Sequence, residues 1–165
     1  MSELRDRIER VRGQIADAAA RAGRSSSEVT LVAVSKTKPA EAVAEALSTR
    51  AEGRRVPILL EVYLGDDPAR PGFRPVDLDA AIGRIRALAS LEVRGLMTVA
   101  PLGLDREETR LCFRRLRELR DRLAASQAGL VLDQLSMGMT EDFPLAIEEG
   151  ATMIRVGRAI FGDRG

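Results

Sequence analysis

The sequence predicts an α/β fold built on a parallel sheet. Short, nearly continuous apolar segments rich in β-branched residues alternate with longer segments in which apolar residues recur at helical spacing. Continuous apolar character is typical of strands that are buried on both faces of a parallel sheet. With 165 residues, 45% of them hydrophobic, the chain is large enough for one domain with a real core. No repeat, low-complexity tract or linker interrupts it, so we expect a single domain over residues 1–165.

The N-terminal segment predicts an amphipathic helix over residues 3–22. Its apolar side chains recur every three or four positions, Ser2 suits the N-cap, and Gly23 suits the end of the helix. The next segment, 29–35, is short and β-branched, which predicts a buried strand that ends at Lys36.

The middle of the chain continues the alternation. Pro39 suits the first turn of a helix over about 40–50, and the apolar run 56–64 predicts a second strand. The polar, proline-rich and glycine-rich segment 65–72 predicts a loop, and leucine and isoleucine spacing predicts a helix over 76–90.

The C-terminal half predicts three more strands and two more helices. Asp105 suits the N-cap of a long helix that ends near residue 125, with Glu107 and Glu108 in its first turn. The other predicted elements are a strand over 93–99, a strand over 130–136, a helix over 142–149 and a strand over 152–156.

The composition excludes several kinds of site. A single cysteine, Cys112, excludes an internal disulfide framework and a cysteine-rich zinc site, and we expect it to be a packed small residue. The absence of histidine excludes Ser-His-Asp and Cys-His catalysis, and we expect no metal.

No apolar run reaches the ~18 residues of a membrane span, and the charged N-terminus does not resemble a signal peptide. We therefore expect a cytoplasmic protein.

The charge is balanced, but the basic residues are almost all arginine. Arginines are interleaved with carboxylates, the net charge is +1, and no aromatic-rich basic patch is present, which argues against nucleic-acid binding. Only Lys36 and Lys38 are lysines among the 26 basic residues. Arginine cannot form a Schiff base, so these two positions can carry chemistry that the other basic residues cannot. From composition alone, the alternative is compositional bias and chance.

Residues that follow the strands are the next candidates, because chemistry collects at the C-terminal edge of a parallel sheet. These positions hold Ser35, Lys36, Thr37, Met97, Thr98, Ser136, Met137, Gly138, Arg155, Gly157 and Arg158. In an α/β barrel, the last two loops often bind a phosphate through N–H groups and a hydroxyl. From spacing alone, the alternative is that Gly138 and Gly157 only permit turns and that Arg155 forms a surface ion pair.

Four motifs carry a resemblance to a known family. They are LVAVSKTKP at 31–39, RGLMTVAP at 94–101, LSMGM at 135–139 and IRVGRAIFG at 154–162. In this order they resemble the pyridoxal phosphate homeostasis protein family, a cytosolic group with the barrel fold of the alanine racemase N-terminal domain. The N-terminal helix resembles that family too, so the similarity covers nearly all of the chain.

The resemblance implies that the chain binds pyridoxal 5′-phosphate (PLP). Lys36 matches the family's Schiff-base lysine, and Ser136 matches its phosphate-binding serine. The backbone N–H groups of Gly157 and Arg158 match the phosphate-binding turn, and Arg155 matches the arginine that faces the pyridine nitrogen in the racemase fold. An arginine there keeps that nitrogen unprotonated and weakens the electron sink of PLP. The resemblance therefore implies a carrier in vitamin B6 homeostasis, with PLP-dependent apoenzymes as partners, and not an enzyme.

Other interpretations stay open. Lys38, at the predicted helix entrance, competes with Lys36, and the position of Lys36 at the end of a buried strand favours Lys36. A PLP-dependent racemase-like enzyme is one alternative, although it needs a second acid–base group and usually a second domain, and neither is visible in the sequence. A shortened, non-binding scaffold that keeps the motifs as relics is another.

The chain departs from the family by what it lacks. The family's three strands after the SKTKP segment are absent, which puts an apparent internal junction at about 40–50 and leaves the equivalents of strands one and five to eight. A complete barrel needs about 200–250 residues. We expect a partial (β/α) TIM-type barrel that stays open, with its first strand beside the equivalent of the fifth or eighth. Open sheet edges favour self-association. Tyr63 and Arg70 stand where the family often has Asn and Lys.

Overall fold

Five strands form the sheet in the part of the chain that the structure describes. The computed structural model describes residues 3–33, 56–87 and 91–161, and its strands are β1 (Thr30–Ala33), β2 (Val56–Glu61), β3 (Leu91–Met97), β4 (Gln134–Ser136) and β5 (Met153–Val156). Its helices are α1 (Glu3–Arg21), α2 (Leu78–Arg86), α3 (Arg106–Ser126), α4 (Phe143–Glu148) and α5 (Arg158–Phe161), with 3₁₀ turns at Ser26–Glu28 and Pro75–Asp77. The predicted helix at 40–50 and the apparent junction lie outside the described residues.

All five strands are parallel and lie in the order β1-β5-β4-β3-β2. The first strand therefore pairs with the last, with Val32 opposite Arg155 in the register. In the part of the chain that the structure describes, β1 and β2 form the two edges and do not pair with each other. This order confirms the α/β class and places the first strand beside the predicted eighth-strand equivalent, and within the described residues the sheet is open.

The register separates the two faces of the sheet. Leu60, Leu96 and Leu135 lie side by side on β2, β3 and β4, and all three are buried. The strand order advances in one direction from β2 to β5, so right-handed crossovers place α2, α3 and α4 on a single face. On the opposite face, and nearest the C-terminal edge, Glu61, Met97 and Ser136 are in register with one another.

Local sequence signals set the two long helices. The carboxylate of Asp105 accepts a 2.8 Å hydrogen bond from the Glu108 N–H, and the Glu108 carboxylate accepts one of 2.8 Å from the Asp105 N–H. This reciprocal cap begins α3 where the sequence predicts it. The first helix ends as predicted before Gly23, whose φ is +66°. In the described ranges, no helix has the length and apolar character needed to cross a membrane.

Several predicted boundaries are wrong, and the strand predicted over 93–99 is observed at Leu91–Met97. The strand predicted over 130–136 pairs only at Gln134–Ser136. Leu130 and Leu132 are buried, but their segment does not pair with another strand. The Leu132 carbonyl oxygen instead accepts a hydrogen bond from the Arg120 side chain. The second strand ends at Glu61, and the chain then bridges from Val62 to Phe73. The helix predicted over 76–90 begins with a 3₁₀ turn and ends at Arg86, and residues 88–90 lie outside the described part.

A buried carboxylate fixes the turn that leads into β5. Glu149 is 4% exposed and directly follows α4. Three arginine side chains of α3 donate to its carboxylate: Arg117 at 2.9 Å, Arg114 at 3.1 Å and Arg110 at 3.4 Å. Burial alone raises the pKa of Glu149, but the hydrogen bonds and charges of these arginines outweigh it, and the pKa lies below its ordinary value. The network therefore ties α3 to the entrance of β5.

Candidate functional site

The C-terminal ends of β3, β4 and β5 meet in one hydrogen-bonded cluster. Arg155 Nη1 donates to Ser136 Oγ at 2.6 Å, and Arg155 Nη2 donates to the Thr98 carbonyl oxygen at 3.0 Å. The Thr98 N–H in turn donates to the Ser136 carbonyl oxygen at 3.0 Å. The structure thus brings together two predicted site residues, Ser136 and Arg155, with Thr98 hydrogen-bonded to both. We call these three residues the strand-end cluster.

Arg155 does not form the surface ion pair that spacing alone allowed. Its side chain is half-buried, and no Asp or Glu of the described residues lies within 4 Å of it. Burial lowers the pKa of Arg155, and the charges of Asp142 and Glu61 oppose this fall. A guanidinium stays protonated even so. The cluster therefore contains a positively charged guanidinium whose hydrogen-bond partners are a hydroxyl and a carbonyl oxygen.

Thr98 anchors the cluster to the next strand. Its side chain is fully buried, and its Oγ1 donates to the Val62 carbonyl oxygen at 2.7 Å. The sequence indicated Thr98 only as a residue that follows a strand and did not predict this role. A threonine at the end of a buried strand is a weak signal, because its partners depend on the register of two neighbouring strands.

Gly138 does more than permit a turn. Its φ is +93°, and a Cβ there would stand 2.7 Å from the Ala146 Cβ and 2.8 Å from the Phe143 Cα. Its carbonyl oxygen accepts the Arg155 N–H at 3.0 Å. The loop after β4 therefore packs closely on α4, and glycine is required at this position.

Two carboxylates near the cluster were missed by the sequence interpretation. Asp142 was predicted only as the start of a helix, but its Oδ1 accepts the Met139 N–H at 2.6 Å. Burial raises the pKa of Asp142. Glu61 is half-buried on the same face as Ser136. A carboxylate that ends an otherwise apolar strand is the signal that could have found Glu61.

Gly157 and Arg158 follow β5 as predicted. A Cβ at Gly157 would meet no atom within 4 Å, and its carbonyl oxygen accepts the Ile160 N–H at 3.0 Å. The Arg158 side chain is 60% exposed and pairs with Glu141 at 3.2 Å. Only the backbone of Arg158 is therefore a candidate ligand contact, in keeping with the predicted phosphate turn.

Lys36 and Lys38, the predicted covalent site and its competitor, lie outside the described residues. The last described residue of β1 is Ala33, which is opposite Val156 of β5. Lys36 follows Ala33 by three positions in the sequence.

The remaining candidates lie away from the cluster. Cys112 is buried in α3, and burial raises its pKa to about 11, which confirms a packed residue. Tyr63 is buried beneath Arg74, whose guanidinium carbon lies 4.7 Å from the ring centre. Among the residues that the structure describes, no three His, Cys, Asp or Glu side chains are grouped so that they could hold a metal ion.

Comparison with known proteins identifies the family. The sequence matches the alanine racemase N-terminal domain over residues 6–165. It is 31% identical to the pyridoxal phosphate homeostasis protein of Pseudomonas aeruginosa, over 99% of this chain and 97% of that protein. The chain belongs to the pyridoxal phosphate homeostasis protein family, with an alanine racemase N-terminal domain.

This member of the family is shorter than its relatives. The alignment with the Pseudomonas protein has 228 positions, whereas the chain has 165 residues, so at least 63 positions have no counterpart here. The pyridoxal phosphate homeostasis protein of Aquifex aeolicus is 42% identical over 107 residues, and that match spans 65% of this chain and only 46% of the relative.

One solved structure of similar fold contains PLP. PipY of Synechococcus elongatus, solved with PLP bound, is 36% identical to this chain and has a TM-score of 0.62. The similarity covers 90% of this chain and 66% of PipY.

Proposed function

We propose that this chain binds PLP and acts in PLP homeostasis as a carrier and not as an enzyme. The observation that carries the proposal is the strand-end cluster, in which a buried serine hydroxyl and a half-buried arginine meet at the C-terminal edge of a parallel sheet. This edge is where such folds bind phosphate ligands. Relatives named for PLP homeostasis and the PLP-bound PipY structure support the choice of ligand.

The side chains of the cluster fit a phosphate group. Arg155 supplies a positive charge that no carboxylate of the described residues neutralises within 4 Å, and Ser136 supplies a hydroxyl. A dianionic phosphate favours such donors, because charge-assisted hydrogen bonds are stronger than neutral ones. We propose that the backbone N–H groups of Gly157 and Arg158 complete the phosphate site, as the family resemblance implies.

We propose that Lys36 holds the aldehyde of PLP as a Schiff base. The neutral Nζ adds to the aldehyde carbon, and the aldehyde oxygen leaves as water. A lysine normally has a pKa of about 10.4, so desolvation would help to free the neutral amine. Lys38 is the one other residue of the sequence that could compete for this bond.

Arg155 also supports a carrier over an enzyme. Bound PLP supplies an electron sink for reactions of amino acids, and that sink works best when its pyridine nitrogen is protonated. In our proposal Arg155 faces that nitrogen and, as a permanent donor, keeps it unprotonated. The sequence has no histidine, and its single tyrosine, Tyr63, is buried beneath Arg74, so the second acid–base group of a racemase lacks an obvious source.

We further propose that about three strands are missing from the chain at 40–50, between β1 and β2. The alignment positions without counterpart support this deletion, and the open strand order agrees with it.

Because β1 and β2 are edge strands in the described residues, we propose that two copies associate through them. Light scattering after size-exclusion chromatography tests this, and a mass of one chain at all concentrations would contradict it. A cytoplasmic location and apoenzyme partners stay predictions.

A PLP titration followed by visible absorbance tests the main proposal. We expect the chain to bind PLP and Ser136→Ala to weaken binding about 10- to 100-fold, the usual worth of a hydrogen bond to a charged group. Ser126→Ala is the matched control, because that hydroxyl donates to a carbonyl at the end of α3 and should not alter binding. Absence of binding at millimolar PLP would favour the relic scaffold. Racemisation of an amino acid that is lost in Lys36→Ala would favour the enzyme.

A further inference from the structure

We propose that Arg155 is a positioning residue that directs the Ser136 hydroxyl proton at the phosphate of the ligand. This role rests on the proposed PLP binding and is additional to a contact with the pyridine nitrogen. It makes the pair of Arg155 and Ser136 the determinant that selects phosphorylated over unphosphorylated forms of the cofactor.

The direction of the hydroxyl follows from the donors and acceptors present. A guanidinium has five N–H donors and no acceptor, whereas a serine hydroxyl has one proton and two lone pairs. In the 2.6 Å contact between Arg155 Nη1 and Ser136 Oγ, the serine oxygen must therefore accept. Its proton then points away from Arg155, and no acceptor in the described part of the chain receives it. Ser136 is left as a donor for an incoming acceptor.

Arg155 is held in place through both its guanidinium and its backbone. Arg155 Nη2 donates to the Thr98 carbonyl at 3.0 Å, and the Arg155 backbone N–H donates to the Gly138 carbonyl at 3.0 Å. Thr98 is itself fixed by its hydroxyl, which donates to Val62 at 2.7 Å. Arg155 is thus bound to the ends of β4 and β3 before a ligand arrives. Such preorganised donors cost little further ordering when the ligand binds.

The consequence is selectivity for an anionic acceptor. A phosphate oxygen accepts the Ser136 proton and also gains from the adjacent positive charge of Arg155. The neutral hydroxymethyl group of pyridoxal, which replaces the phosphate ester, gains much less from either. A contact between Arg155 and the pyridine nitrogen would act on PLP and pyridoxal alike, because both carry the same ring. The ratio of the two affinities therefore isolates the phosphate-side role.

The experiment compares PLP and pyridoxal dissociation constants for the unchanged chain, Arg155→Met and Ser136→Ala. We expect each substitution to lower the preference for PLP about 10- to 100-fold. We expect the double variant to lower the preference no further than the stronger single one, because the two residues act as a unit. Arg12→Met is the matched control, since its side chain pairs with Glu9 on the surface of α1 and should leave the preference unchanged.

A preference for PLP that Arg155→Met leaves intact overturns the positioning role, even if both affinities fall. Circular dichroism checks that each variant is folded. If Arg155→Met is not folded, Arg155→Lys decides, because lysine keeps the charge but cannot hold Ser136 and Thr98 with a planar fork. An unchanged preference in Arg155→Lys then overturns the proposal, and a severalfold loss supports it. Failure of the proposed function is distinct, since the unchanged chain would then bind no PLP.

Discussion

Arg155 on β5 donates to the Ser136 hydroxyl on β4 across 2.6 Å, and this bond joins two strand ends that are 19 residues apart in the sequence. The cation is held by a hydroxyl and a carbonyl, and in the described residues no carboxylate lies within 4 Å of it. A half-buried charge with only neutral partners is incompletely compensated. An anion that binds beside Arg155 would complete the compensation, and phosphate is such an anion.

Thr98→Val tests whether the anchoring of this cluster matters for the ligand. We expect a loss of about 1–2 kcal/mol in the free energy of unfolding, because the Val62 carbonyl loses a buried donor, and a PLP affinity lowered by roughly three- to tenfold. Thr109→Val is the control, since that hydroxyl donates a 2.7 Å hydrogen bond to the Asp105 carbonyl oxygen at the start of α3. It should cost similar stability without an effect on PLP. Equal PLP affinities for the two variants would refute the anchoring role.

Gly138→Ala tests the strained turn after β4. An added Cβ meets a positive φ and atoms of α4 at 2.7–2.8 Å, so we expect a destabilisation of about 2 kcal/mol or more in urea unfolding. Gly83→Ala is the control, and we expect it to change the free energy of unfolding in the opposite direction. Gly83 lies in α2 with no atom within 4 Å of its added Cβ, so alanine should stabilise the protein by about 0.5–1 kcal/mol. A neutral Gly138→Ala would show that the turn tolerates a side chain.

Local signals made most helices predictable. The cap between Asp105 and Glu108 involves residues three positions apart, so the start of α3 could be found from the sequence. The strand over 130–136 was overpredicted because apolar residues such as Leu130 and Leu132 can be buried without pairing. Periodicity reports burial and does not report strand pairing.

The site was predictable in its residues and not in its contacts. Ser136 and Arg155 were found because both lie at strand ends that share an edge. Whether Arg155 contacts a carboxylate or a hydroxyl depends on the register between β4 and β5, which no local pattern encodes. The role of Thr98 and the presence of Glu61 near the cluster were not predicted for the same reason, because both depend on neighbouring strands.

Glu149→Gln tests the buried network that leads into β5. We expect a loss of roughly 2 kcal/mol at pH 7, because three arginine hydrogen bonds lose their charged acceptor. The pKa of Glu149 is lowered in the folded chain, so the carboxylate adds stability above its unfolded pKa of about 4.3. This stability is lost as the pH falls through the folded pKa.

Urea unfolding of the Glu149→Gln variant and the unchanged chain between pH 7 and pH 3 measures the effect. The difference between the two should shrink toward acid pH. Glu141→Gln, at an exposed pair, is the control and should be near neutral at every pH. A difference for Glu149→Gln that does not change with pH would argue against the charged network.

Cys112 should be inert in the folded protein. Burial raises its pKa to about 11, so at pH 8 the thiol is protonated as well as inaccessible. We expect iodoacetamide to leave it unmodified in the native chain and to alkylate it readily in guanidinium chloride, with intact mass spectrometry as the readout. Rapid alkylation of the native chain would show that α3 opens or that the thiol is more acidic than its burial implies.

The central claim is that this shortened chain still holds PLP covalently at Lys36. The most direct measurement is reduction of the PLP-treated protein with borohydride, followed by peptide mass spectrometry of the unchanged chain, Lys36→Ala and Lys38→Ala. We expect one pyridoxyl group on Lys36, lost in Lys36→Ala and kept in Lys38→Ala. Label confined to Lys38, or no label at millimolar PLP, would contradict it.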